Sequence, residues 1–357
     1  MSPQHPYQLL PSEAFWRSGV TEETPFTINQ IWKPKFEINK FKKIATAGSC
    51  FAQHITNKLK KYQYNVLDLE PAPPGLPMDL HGKYGYSMYS ARYGNIYSAR
   101  QLNQLAKECH GSHQPKGYIW RKNKKFYDGL RPAVEPEGLE NKQQVIEHRQ
   151  FHINQVRKMF ESLDIFIFTL GLTESWVHRR SGTVFPIAPG TQIGNFNKGK
   201  HKFYNANFKQ IIDDMRQFLS ITNEIRGGKP FKMLLTVSPV PLTATASGKH
   251  ILVATMQSKA LLRSAAAELC EDNPNIDYFP SFEIVNNPRL HSLSFTDNLR
   301  TIRPEIVDTV MRHFFTATGA SQETPKISIA NQSSESTEKN DLQCEEALLD
   351  AFGPSGK

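Results

Sequence analysis

The sequence predicts an α/β protein, a three-layer α/β/α sandwich with a mainly parallel sheet. Three observations lead there: short β-rich apolar runs alternate with longer helical patterns, each apolar run ends at Gly, Ser or Thr, and a Pro-headed helical stretch closes the body of the chain. The first run is KIATA at 43–47, which ends at Gly48 and is followed by Phe51, Ala52, Ile55 and Leu59 at helical spacing. A strand, a tight turn and a helix are therefore expected in that order. The second run is IFIFTL at 165–170, ending at Gly171, and the third is MLLTV at 233–237, running into Ser238. Ligands bind at the carboxyl ends of the strands in open α/β sheets, so the three following loops should converge on one site. Helical patterns cover 155–163, 208–219, 258–270 and 304–315, and Pro304 suits the first position of the last of these. The Pro-rich piece at 70–77 reads as a semi-rigid loop, and the polar stretch 111–145, with weak periodicity, as an insertion over the sheet edge.

With 357 residues, 39% of them hydrophobic and 22% charged, the chain suits one large domain with appendages, whose core needs no disulfide or metal to hold it. We divide it into an N-terminal extension at 1–39 that packs on the domain, the domain at 40–317 and a disordered acidic tail at 318–357. Within the tail, residues 342–352 could form a short amphipathic helix and dock, although a free, weakly helical tail is the simpler reading. Cys50, Cys109, Cys270 and Cys344 are far apart and show neither CxxC nor zinc spacing, which suggests a reducing compartment, no metal and no bound cofactor. The first residues lack the apolar core of a signal peptide, and no apolar run approaches the roughly 18 residues of a membrane helix. A cytoplasmic protein with no membrane partner is expected. The net charge of +9 is spread along the chain without basic runs interleaved with stacking aromatics, which argues against nucleic acid. It fits a solvated basic surface or a mouth that attracts anionic substrates. The oligomeric state is not determined by these features.

The loop Gly48-Ser49-Cys50-Phe51 is the chemical focus. Small residues between a strand and a helix place Ser49 and Cys50 at a helix N-terminus, where N–H groups and the helix dipole favour negative charge. A thiol there is drawn toward thiolate, and the same N–H groups can receive an oxyanion. The plain alternative is a buried structural Cys with a Ser that caps the helix.

Residues 48–52 spell GSCFA, and the blocks YGNIY at 93–97, TLGLTESW at 169–176, LTVSPV at 235–240, Ser258-Lys259 and YFPSFE at 278–283 follow in order. On these blocks the chain resembles the GSCFA family over about residues 40–315, a family similar to the SGNH/GDSL hydrolases. The resemblance implies an SGNH-like fold and a nucleophile in the turn. Laying Gly-Asp-Ser-Leu on residues 48–51 makes Cys50 the nucleophile and puts Ser49 at the Asp position; matching Ser to Ser makes Ser49 attack. The first register keeps Gly at the turn and is preferred. By the same resemblance, Cys50, Gly94, Asn95 and Thr173 would form the oxyanion hole, with Thr173 standing where the hydrolases carry Asn. Glu174 would act as acid or base, or orient a base, with Trp176 beside it.

The hydrolases' Asp-x-x-His is replaced here by Asp297-Asn298-Leu299-Arg300, and arginine cannot serve as a base. His250 is the leading substitute, ahead of His152, His178 and His291, while Asp297, Arg300 and Trp176 would bind substrate, Arg300 by pairing with a carboxylate or phosphate. The implied activity is hydrolysis of an O-acyl ester, of a small molecule or a glycan. The alternatives are acyl transfer to a polysaccharide and a non-catalytic binding module that kept the fold.

Overall fold

The computed structural model describes residues 5–24, 28, 30–320 and 345–353. In chain order its body consists of β1 (Ile44–Gly48), α1 (Cys50–Lys61), α2 (Met78–His81), α3 (Ala99–His110), the strands β2 (Ile119–Lys122) and β3 (Lys125–Asp128), and α4 (Lys142–Ser162). Then follow β4 (Ile165–Leu170), β5 (Glu174–His178), β6 (Val184–Phe185), β7 (His201–Asn205), α5 (Phe208–Ile225), β8 (Lys232–Val237), α6 (Ile251–Asp272), β9 (Ile276–Tyr278), α7 (Ser281–Val285) and α8 (Pro304–Ala317).

The central sheet has the order β1-β4-β8-β9 and is parallel throughout. The chain that leaves α1 returns beside β1, where Ile44 and Val66 form a parallel bridge. With that bridge as a rudimentary edge strand, the order is that of a doubly wound sheet whose switch point lies between β1 and β4. Side chains alternate across the sheet because the strand period is two. Ala45, Phe166, Phe168, Met233 and Leu235 face a core completed by Phe160 of α4, Phe218 of α5 and Leu262 of α6. Ile44, Ile165, Ile167 and Leu234 face the other layer, with Phe51 and Ile55 of α1 and Phe314 of α8. Each of these fully buried aromatics contributes about 1.5–3 kcal/mol through burial alone. The expected three-layer α/β/α sandwich is what the chain forms.

The helices run longer than their apolar patterns. Asn141 caps α4 by accepting from Gln144 N, and His250 caps α6 through Nδ1, so both start well before the periodic residues begin. The stretch 111–145 contains the antiparallel pair β2–β3, whose Trp120 packs against Phe185. The Pro-rich loop buries Glu70, which accepts from Arg92 N and pairs with His152 Nδ1 at 2.7 Å. Of residues 1–39, Trp32 and Ile38 enter the core, and the Trp32 indole lies against Phe279 and Phe314.

The tail departs from expectation. Residues 321–344, including Cys344, lie outside the described residues, but Glu345–Phe352 is a 3₁₀ helix packed on the domain, with Glu345 and Glu346 buried. Among the described residues, no helix is long and apolar enough to cross a membrane.

Candidate active site

The site lies at the carboxyl ends of β1, β4 and β8, and the geometry begins with two close approaches. Gly48 pairs with Thr169 across the β1–β4 ladder at a φ of 148°, and a Cβ on it would lie 2.7 Å from Thr169. A Cβ on Gly171 would lie 2.9 Å from Ser49 Cβ and 3.0 Å from the Tyr97 carbonyl. Both positions need glycine so that the turn can nest between the strand ends.

Ser49 is the N-cap residue of α1, yet its side chain makes no capping bond, and its buried Oγ has no hydrogen-bond partner among the described residues. Cys50 follows as the first helical residue, 7% exposed. Ser49 and Cys50 line a narrow cavity with Tyr97, Gly171, Leu172, Ser238, Leu242 and Glu346. All three predicted loops contribute to it.

Asn95 is fixed by its neighbours. Its Oδ1 accepts from Tyr89 Oη at 2.6 Å and from Gln53 Nε2 at 3.1 Å, so its Nδ2 is turned the other way, toward Glu345 Oε2. The same Tyr89 hydroxyl lies 2.9 Å from the Ser49 carbonyl, which sets Asn95 beside the turn that bears Cys50. The Glu345 carboxyl further accepts from Tyr97 Oη at 2.8 Å and from the Asn95 backbone N–H, and Gly94 lies beside it. Burial pushes this carboxyl upward from its ordinary range, against the pull of the donors. Asn95 and Tyr97 thus form a donor cradle around the Glu345 carboxyl, with Gly94 beside it.

Lys259 is the group that sequence reasoning left without a role. It projects from α6, is 2% exposed, and donates to the Gly171 carbonyl at 2.6 Å. Burial brings its ammonium down to about 8, opposed by the charges of Glu346 and Cys50. Its neighbour Ser258 holds the Gly171–Thr173 loop by accepting from Thr173 N at 3.1 Å. The block Ser258-Lys259 was visible in the sequence, but nothing local showed that Lys259 is carried beneath the β4 loop.

Other residues are placed differently from expectation. The one proton of Thr173 is donated to Asn205 Oδ1 at 2.6 Å, so an oxyanion role for that hydroxyl requires this bond to break. His250 is exposed, spends Nδ1 on the N-terminus of α6 and does not line the cavity. His152 is buried with Glu70, His178 bonds Ser181 and His291 is exposed. Asp297 is an exposed loop residue. Arg300 donates to the Pro241 carbonyl at 3.2 Å, its buried Nε has no partner among the described residues, and its charge is felt by both Lys259 and Glu346. Glu174 accepts from Thr245 Oγ1 at 2.5 Å and, with Trp176, lines an adjoining groove that also reaches Glu346 and Leu349; burial raises its carboxyl. Among the described residues, no group of three or more His, Cys, Asp or Glu gathers as a metal site would.

A strand-to-helix turn at the switch point of a parallel sheet, with the Asn95 donors beside it, defines a doubly wound α/β protein with its candidate site at that turn. The sequence profile of the GSCFA family matches residues 43–314, and the chain belongs to that family. No curated protein sequence matches it. Among solved structures it is similar to one described as a GDSL-like lipase from Parabacteroides merdae, at 12% identity over 61% of this chain and 93% of that one. The TM-score of 0.28 is too low for that likeness to carry an argument.

Proposed function

We propose that the protein hydrolyses acyl esters through the Cys50 thiolate, with Lys259 handling the proton. The observation that carries this reading is the buried Lys259 ammonium, which donates at 2.6 Å to the carbonyl of Gly171, a residue that lines the cavity with Cys50; burial lowers its titration and the charge of Cys50 opposes that. In the first step, sulfur bonds to the acyl carbon while the carbonyl electron pair moves to oxygen, toward the N–H groups of Cys50 and Asn95 and the Asn95 amide. Collapse of this intermediate breaks the C–O ester bond, and the Lys259 ammonium gives its proton to the leaving alkoxide. Neutral Lys259 then takes a proton from water, the hydroxyl adds to the thioester, and the C–S bond breaks to return the thiolate and a carboxylic acid. A sugar hydroxyl in place of that water would make the same site an O-acyltransferase. Such a thiol chemistry fits a reducing, cytoplasmic setting.

The test compares Cys50→Ala and Ser49→Ala with the wild type on 4-nitrophenyl acetate, together with the pH profile of Cys50 alkylation. Loss of the nucleophile should lower kcat by about 100-fold or more, and loss of the Ser49 hydroxyl by less than about tenfold. A Cys50→Ala protein as active as wild type overturns the thiol assignment. An inert thiol with no ester hydrolysis in any form points instead to a binding module.

A further inference from the structure

The residues that fill this site belong to the same chain. Glu345 and Glu346 begin the C-terminal 3₁₀ helix, are 4% and 9% exposed, and come from a stretch separated in sequence from α8 by more than twenty residues; Glu346 lines the cavity and Glu345 reaches the Asn95 amide. Two adjacent acidic side chains are costly to bury, and a site tolerates them only where it offers donors and positive charge. This one does so twice. The Glu345 carboxyl lies in the cradle of Asn95 N–H, Asn95 Nδ2 and Tyr97 Oη. The Glu346 carboxyl accepts from Thr243 N at 2.8 Å and sits in the combined field of Arg300 and Lys259, while facing the like charge of Glu174.

We infer that the site takes substrates whose acyl group ends in a second carboxylate, the half-esters of short dicarboxylic acids, and that Glu345-Glu346 is a tethered mimic of the dicarboxylate product. The inference rests on the reading of Cys50 as an acyl-transfer nucleophile. The reacting carboxyl of such a product belongs in the Asn95 cradle, where Glu345 now is, beside the Ser49-Cys50 turn. The distal carboxylate belongs where Glu346 now is. The arginine that stands in place of a histidine base supports this assignment. Arg300 brings a fixed positive charge to the pocket, and its buried Nε has no hydrogen-bond partner among the described residues. As part of the same chain, the tail competes at an effective concentration of about millimolar, so weak contacts suffice to hold it.

The experiment uses the full chain and Glu345→Gln/Glu346→Gln, a substitution confined to the tail that keeps side-chain volume. Cys50 modification by iodoacetamide is followed by peptide mapping, alone and with glutarate or butyrate present. If the tail covers the site most of the time, the double variant should be alkylated about five to ten times faster, as the open fraction rises. Glutarate should then restore protection in the double variant, butyrate should not, and Arg300→Met added to it should abolish the glutarate effect. Equal alkylation of wild type and double variant, or equal protection by butyrate and glutarate, overturns the inference. Hydrolysis of 4-nitrophenyl acetate and of mono-4-nitrophenyl glutarate by the same proteins separates the two readings: tail-dependent and glutarate-dependent protection without turnover of either ester sustains the dicarboxylate site and rejects catalysis, whereas turnover with no tail effect does the reverse.

Discussion

Replacing Lys259 by Met gives a sharp test because the lysine has two measurable consequences of opposite sign. Its ammonium is buried, and burial moves its titration from the ordinary 10.5 to about 8. The difference of 2.5 units corresponds to roughly 3 kcal/mol by which the folded protein disfavours the charged form at neutral pH. A folded-state value below the unfolded one contributes stability above the unfolded value and loses it as pH falls through the folded value. Wild type should therefore gain stability relative to Lys259→Met as pH rises from about 8 to 10.5, by up to about 3 kcal/mol. At pH 7 methionine removes the buried charge but leaves the Gly171 carbonyl without its donor, a loss of about 1–3 kcal/mol, so the two proteins should be of similar stability there. Urea denaturation at pH 7, 8.5 and 10 measures this.

The second consequence falls on Cys50. A cation within its electrostatic reach favours thiolate by about 1–3 pH units, so Lys259→Met should move the midpoint of Cys50 alkylation upward by that amount and slow the reaction at pH 7.5 by about tenfold or more. Ester hydrolysis should fall at least as far. If the stability difference appears but the alkylation profile stays where it was, Lys259 is a buried lysine and nothing more, and the mechanism proposed above fails.

Two further outcomes test the scaffold. Gly48→Ala places a methyl 2.7 Å from Thr169 at a left-handed φ, and should destabilise by more than about 1 kcal/mol and lower Cys50 reactivity together, as read by thermal unfolding and alkylation. Arg149 pairs with Glu108 at 2.7 Å and Asp128 at 3.2 Å beneath the β2–β3 pair, with all three side chains at most 9% exposed. Arg149→Met leaves the buried Glu108 carboxylate without its partner, while Asp128 keeps Arg131 at 2.9 Å, and should cost about 3–5 kcal/mol in denaturant unfolding, largely regained in a protein that also carries Glu108→Gln.

The chain order of strands and helices was legible because each element obeys a local rule. The runs at 165–170 and 233–237 are apolar on both faces since both faces are covered by helices, and the observed strands differ from them by at most one residue. The turn at Gly48 was legible for the same reason, as a small-residue break between a strand and a helix. The strand β9 was not, since three residues carry no period, and the true starts of α4 and α6 were hidden because their caps precede the apolar pattern.

What the sequence alone determined is the layer architecture, the membership in a family signed by residues 48–52, and the turn where Ser49 and Cys50 meet a helix N-terminus. Composition, period and turn chemistry are properties of neighbouring residues, and a linear reading carries them. The tertiary structure alone decided what surrounds that turn. It put Lys259 rather than His250 within electrostatic reach of Cys50, aimed the Asn95 amide through Tyr89 and Gln53, set Glu345 on that amide and seated Glu346 in the cavity. These pairings join residues as far apart as 95 and 345, and a hydrogen bond depends on where two atoms arrive in space rather than on how far apart they lie along the chain.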